Sequence, residues 1–177
     1  MDSNTPITLA AARYADRDSA VEDFHSVWDA KKSGDYDHIA VTVLTKDEDG
    51  NLRMDRHDST TKHLLWGGTI ALGALAVLVP PLGVAASAGT GAGLGAIVGH
   101  FHHNIPKDDI REAGELLASG ESGLIVVAVN ERGSDITPLL SNAQKTKVLS
   151  TTWGDLDAEI DKEIAAAKAG AADTSAA

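Results

Sequence analysis

Apolar residues alternate with polar ones in some stretches of this chain and recur every three to four positions in others. Those two periods mark its elements. Ile7–Tyr14 is a short apolar run of strand length. Ala20, Val21, Phe24, Val27 and Trp28 then repeat at helical spacing, with Asp16 or Asp18 placed to cap the helix start and Gly34 placed to end it. His38–Thr45 alternates and is rich in β-branched residues, Asp49-Gly50 supplies a turn, and Leu52–His57 returns as the partner strand. Beyond residue 105, Pro106 suits a first helical position. Asp108 and Asp109 favour the positive helix end, Ile110, Ala113, Leu116 and Leu117 form a stripe, and Gly120 can stop the helix. Leu124–Val129 (LIVVAV) is apolar throughout, the mark of a central strand covered on both faces. Asp135–Asn142 predicts a short helix and Lys147–Thr152 a strand. Thr152 with Asp155 predicts a capping box, and Leu156, Ile160 and Ile164 a last helix.

Between the second hairpin strand and the helix after Pro106, the pattern changes. From His63 to Pro106 there is no Asp, Glu, Lys or Arg, and nine of the chain's 17 glycines lie in Leu64–Gly99. Pro80 and Pro81 divide the stretch, because proline lacks an amide hydrogen and restricts the residue before it. The expectation is a helical hairpin, about Lys62–Val79 and Leu82–His102, reversing at Pro80-Pro81. Gly83, Ser87, Gly91, Gly95 and Gly99 fall every four residues and make one smooth ridge. Gly67 and Ala71, with Ala74, offer a shorter ridge on the first half. Small-xxx-small faces let helix backbones approach closely. The halves Leu64–Val79 and Leu82–Gly99 have 16 and 18 residues, against roughly 20 for a spanning helix. The flanking polar residues extend both, with Trp66 and Phe101 near the outer ends and Lys62 and Lys107 just outside.

The resulting division is 1–60 and 105–168 for the two parts of one α/β domain, 61–104 for the inserted hairpin, and 169–177 for a disordered tail. Without the insertion, the first six elements run βαββαβ. That order predicts an α+β, ferredoxin-like core with helices on one face of the sheet, followed by an extra C-terminal helix-strand-helix. Aromatic residues make up only 4%, so the core rests on Ala, Val, Leu and Ile. The net charge of −11 argues against nucleic-acid binding. There is no cysteine, which removes disulfides and thiolate chemistry. The first thirty residues lack a basic segment followed by an apolar one. This predicts a protein that is not secreted, with a cytoplasmic α/β domain attached to the inner face of the cell membrane if the hairpin enters lipid.

The segments VTVLTKDEDGNLRM, the small-residue hairpin centred on LVPPLG, and ESGLIVVAVNERGSDITPLL followed by KVLSTTW give the chain a family likeness from Ile7 to about Ala167. It resembles a bacterial family of unknown function described as predicted membrane proteins, related in pattern to glycine-zipper general stress proteins. The resemblance implies an α/β domain carrying a glycine-zipper insertion in a stress-related context. It implies no reaction, substrate or cofactor. His100-Phe101-His102-His103 departs from the family pattern.

Candidate chemistry is sparse. His57, His63, His100, His102 and His103 bracket the hairpin, and neutral imidazoles suit Zn, Cu or Ni, but their spacing fits no standard zinc module. Gly91–Ala96 matches G-x-G-x-x-A without the strand that a dinucleotide site needs before it. Ser59–Lys62 fits S-x-x-K without the companion motifs of an acyl-enzyme. Asp47-Glu48-Asp49 is a solvated turn, and no carboxylate is placed like a general acid. His25 and His38 suit a helix surface and a strand edge.

These features predict a non-enzymatic accessory protein without a cofactor. It would be membrane-associated or self-assembling through its hairpin, with itself or a lipid bilayer as partner. A soluble homo-oligomer with hairpins as shared core is one alternative. A small-ligand or metal-binding module using the histidines is another.

Overall fold

The chain's central apolar run lies at the centre of its sheet. A computed structural model describes residues 2–34, 36–46, 52–59, 107–158 and 161. Its elements are β1 (Pro6–Tyr14), α1 (Arg17–Ser33), β2 (His38–Lys46), β3 (Leu52–Ser59), α2 (Lys107–Ala118), β4 (Ser122–Val129), a 3-10 turn (Thr137–Leu139), β5 (Lys145–Thr152) and α3, helical over residues 153–158. One mixed sheet-and-helix fold results, with a five-stranded antiparallel sheet in the order β3-β2-β4-β1-β5. Every residue of β4 is buried, which is why LIVVAV carries no alternation.

Local chemistry sets the element ends. Asp16, extended at φ −149°, caps α1 by accepting from the Ser19 amide at 2.8 Å and the Ser19 hydroxyl at 3.1 Å. Those bonds, the amide's first, hold its carboxyl below the usual range. Gly34 ends the helix at φ +77°, a backbone conformation that favours glycine, and its amide donates to the Lys31 carbonyl. At Thr152 the cap is reciprocal in a different way from a capping box. The Asp155 amide donates to Thr152 Oγ1, and that hydroxyl donates back to the Asp155 carboxylate. The predicted helix over Asp135–Asn142 is reduced to the 3-10 turn. In the β2–β3 pair the register slips between Val43 and Leu44, leaving Asp55 as an extra residue on β3. Arg17, at the start of α1, clasps Asp55 through Nε at 2.9 Å and Nη2 at 2.8 Å.

The helices do not share one face, and this corrects the ferredoxin-like packing expected from βαββαβ. Ala20, Phe24 and Val27 of α1 pack with Ala10, Ala12, Tyr14, Ile39, Val41, Val43, Leu124, Val126 and Ala128. The residues of opposite parity turn to α2. A Cβ on Gly123 would lie 2.7 Å from Leu117 Cδ2, Arg13 donates to Ser119 Oγ at 3.1 Å, and Lys147 reaches Asp109. Because strand side chains alternate faces, α1 and α2 lie on opposite sides. The β1–α1–β2 unit has β4 between its strands, and the β3–α2–β4 unit has β2 between its strands. The two units are related by a half-turn about the sheet normal, so two right-handed crossovers would put both helices on one face. The second connection, residues 60–106, is far longer than the roughly dozen residues of a tight crossover, and so escapes that rule.

Candidate functional site

The segment of residues 60–106 connects the end of β3 to the start of α2. Its residues Gly67, Ala71, Pro80, Pro81, Gly83, Ser87, Gly91, Gly95 and Gly99, and both expected helices, lie outside the described residues. So do His63, His100, His102 and His103, the Asp49-Gly50 turn, Ile160, Ile164 and the tail. Among the described residues no helix is long and apolar enough to cross a membrane, and no group of three or more His, Asp or Glu could hold a metal ion. The backbone of His57 lies on β3 opposite Thr42. His25 is exposed on α1, where its Nε2 lies 3.0 Å from Arg56 Nη1. Arginine can only donate, so this contact holds the imidazole's Nε2 as an acceptor. The same guanidinium sits 5.4 Å above the Phe24 ring.

Both junctions are braced. β3 is paired along β2 from Leu52 to Ser59. On α2, Asp109 Oδ1 and Glu112 Oε2 accept from Lys147 Nζ of β5 at 2.8 and 2.6 Å, and Lys145 lies 3.6 Å from Glu112. The hydrogen bond to Lys147 is the first cause holding the Glu112 carboxyl below its usual range. The bond to Asp109, followed by that to Glu112, raises the Lys147 ammonium above its own.

The densest polar cluster lies on the α1 side of the sheet. Asp23 is fully buried beside Phe24 in the apolar stripe of α1. Its Oδ2 accepts from the Tyr14 hydroxyl at 2.9 Å and the Asn142 amide at 3.0 Å. Its Oδ1 accepts from the Asn142 side chain at 2.9 Å and more weakly from the same amide. These donors are all neutral. Tyr14 is itself fully buried. Burial first, then the Asp23 charge and hydrogen bond, push its phenol well above the ordinary range. The arrangement is a clasp: one carboxylate joins β1, α1 and the loop after β4. That loop is braced again by Asn130, which donates to Thr8 Oγ1 and the Ser134 carbonyl and accepts from the Ser134 amide. It is also braced by Arg132, which donates to the Gly34 carbonyl.

None of Tyr14, Asp23 and Asn142 stood out in the sequence. The available signal was Asp23, a carboxylate between Ala20 and Val27 on a face otherwise apolar. No single sequence position reveals a donor 119 residues away.

A family described as a protein of unknown function (DUF1269) matches residues 64–168, a span that takes in most of the glycine-rich segment, α2, β4, β5 and α3. Comparison with curated proteins and with solved structures returns no match. With more than half of its 177 residues inside that match, the chain belongs to this family of proteins of unknown function.

Proposed function

We propose that the chain is a non-enzymatic accessory protein whose α/β domain is carried, or assembled, by the small-residue hairpin at 61–104. The observation that supports this reading is the uncharged stretch His63–Pro106, with Gly83, Ser87, Gly91, Gly95 and Gly99 four residues apart. Each glycine in a helix interior costs about 0.8–1.0 kcal/mol relative to alanine. A lone helix with this ridge is therefore a poor structure in water. The ridge becomes useful where another helix backbone lies against it. A lipid bilayer supplies the apolar surroundings such a hairpin needs, and copies of the hairpin supply the facing ridge. The stress-related context rests on the family resemblance alone.

The test is cell fractionation of the full chain beside a variant lacking residues 63–103. A membrane-held hairpin predicts the full chain in the membrane fraction and the shortened one released from it. A soluble assembly predicts both in the soluble fraction, with the full chain at several times its monomer mass and the shortened one losing that assembly. A full chain that is soluble and monomeric would remove the proposal.

A further inference from the structure

We propose that the β5 edge of the sheet is a second, separate association site. It would join two copies of this chain, strand against antiparallel strand, around a twofold axis at Val148.

A sheet edge presents unpaired amides and carbonyls, and proteins blunt such edges with bulges, charges or cover. The two edges here differ. β3 carries the bulge at Asp55 and has Arg53, Asp55, Arg56 and Asp58 among its eight residues. β5 pairs with β1 without a slip from Pro6–Thr152 to Arg13–Lys145, and its only charged residues are Lys145 and Lys147. Both lysines are engaged by α2 through Glu112 and Asp109, so they do not stand guard over the edge.

Among the described residues no strand pairs with the outer side of β5, and the ladder shows which groups face it. Trp153 donates its amide to the Thr5 carbonyl. Hydrogen-bonded pairs alternate along an antiparallel ladder, so residues 151, 149, 147 and 145 aim their backbone groups at β1. Thr146, Val148 and Ser150 aim theirs outward. Val148 is also the one exposed large hydrophobic side chain among the described residues, at 39%.

A twofold axis normal to the sheet keeps each face on its own side and places residues of equal parity opposite one another. With the axis at Val148, Val148 meets the partner's Val148. Thr146 meets the partner's Ser150, a hydroxyl pair suited to cross-strand contact. Lys147 meets the partner's Leu149, and Lys145 meets the partner's Thr151, so no lysine faces a lysine. The outward amides and carbonyls of three successive even-numbered residues find partners, and the exposed valine is covered.

The natural chain has no cysteine, which makes a single-cysteine test clean. Directly opposed residues in such a pair have Cα atoms about 5.5 Å apart, within disulfide reach. Full-length Val148→Cys under mild oxidation should form covalent dimer at least about tenfold more than Thr146→Cys or Ser150→Cys, whose equivalent positions stand about 13 Å apart across the axis. Mixing Thr146→Cys with Ser150→Cys should cross-link one chain to the other. That second arm reads the same register if Val148→Cys fails to fold. Assembly through the hairpin alone predicts no selectivity among these positions. Absence of the Val148→Cys dimer from folded protein, equal cross-linking of all three variants, or a mixture that does not cross-link would each overturn the proposal.

Discussion

Replacing Asp23 with alanine tests the clasp. In the folded chain Asp23 is fully buried and accepts from Tyr14 and from two donors of Asn142. Asp23→Ala strands the Tyr14 hydroxyl inside the core, which costs about 1–3 kcal/mol. The Asn142 donors lie nearer the surface, where water can replace the carboxylate, so each loses only about 0.5–1.5 kcal/mol. Relief of a desolvated charge returns part of this, leaving a net loss of about 2–4 kcal/mol. Urea unfolding followed by circular dichroism measures it as a lower midpoint at unchanged slope. The second arm is sharper. If the stranded hydroxyl dominates, adding Tyr14→Phe to Asp23→Ala should recover stability instead of losing more, because the orphaned donor is gone. A loss below about 0.5 kcal/mol for Asp23→Ala, or a double variant weaker than Asp23→Ala alone, would refute the reasoning.

The same cluster predicts behaviour in alkali. The folded-state pKa of Tyr14 is raised, so its contribution is intact below the unfolded phenol's value of 10.0 and is lost as pH rises through the folded value. Tyr14→Phe cannot ionise, and should therefore lose less stability than wild type between about pH 10 and 12, measured by thermal midpoints across that range. Two glycines should respond differently to alanine. At Gly120 a Cβ would lie 2.9 Å from the Ser122 backbone oxygen and press on Arg13 Cγ, while at Gly123 the close neighbour is the Leu117 Cδ2 methyl, at the end of a flexible side chain. Gly120→Ala should cost about 1–3 kcal/mol and Gly123→Ala less, as read by urea midpoints; the reverse order would contradict the packing described.

Most of the sheet was legible because its signals are local. The alternation of His38–Thr45 and the unbroken run Leu124–Val129 mark strands, and the latter's lack of a polar face marks the centre. Asp16 and Gly34 bound α1 through chemistry within three residues of each end. The side of the sheet taken by α2 was not legible. Element order implies a shared face only when connections are short, and residues 60–106 intervene. The Asp23 clasp was hidden for a related reason, since Asn142 is brought to it by tertiary folding. The bulge at Asp55 has no marker in LRMDRHDS apart from charge, and charge alone suits any edge strand. For the hairpin, the signal is a spacing of small residues. Such a spacing predicts a contact face from the sequence alone, and these residues lie outside the described ones.

Gly95→Leu is the most direct test of the account's central claim, that the ridge through Gly91, Gly95 and Gly99 is an association face. Close helix approach depends on absent side chains, and a leucine there would force the backbones apart. Leu94→Ala changes the adjacent position and serves as the control. Oligomer mass and detergent dependence should be measured for wild type and both variants, with far-UV circular dichroism to follow the α/β domain. Gly95→Leu should lose assembly or change its detergent dependence while the α/β domain stays folded, and Leu94→Ala should do less. Gly95→Leu matching wild type in both measurements would contradict the claim.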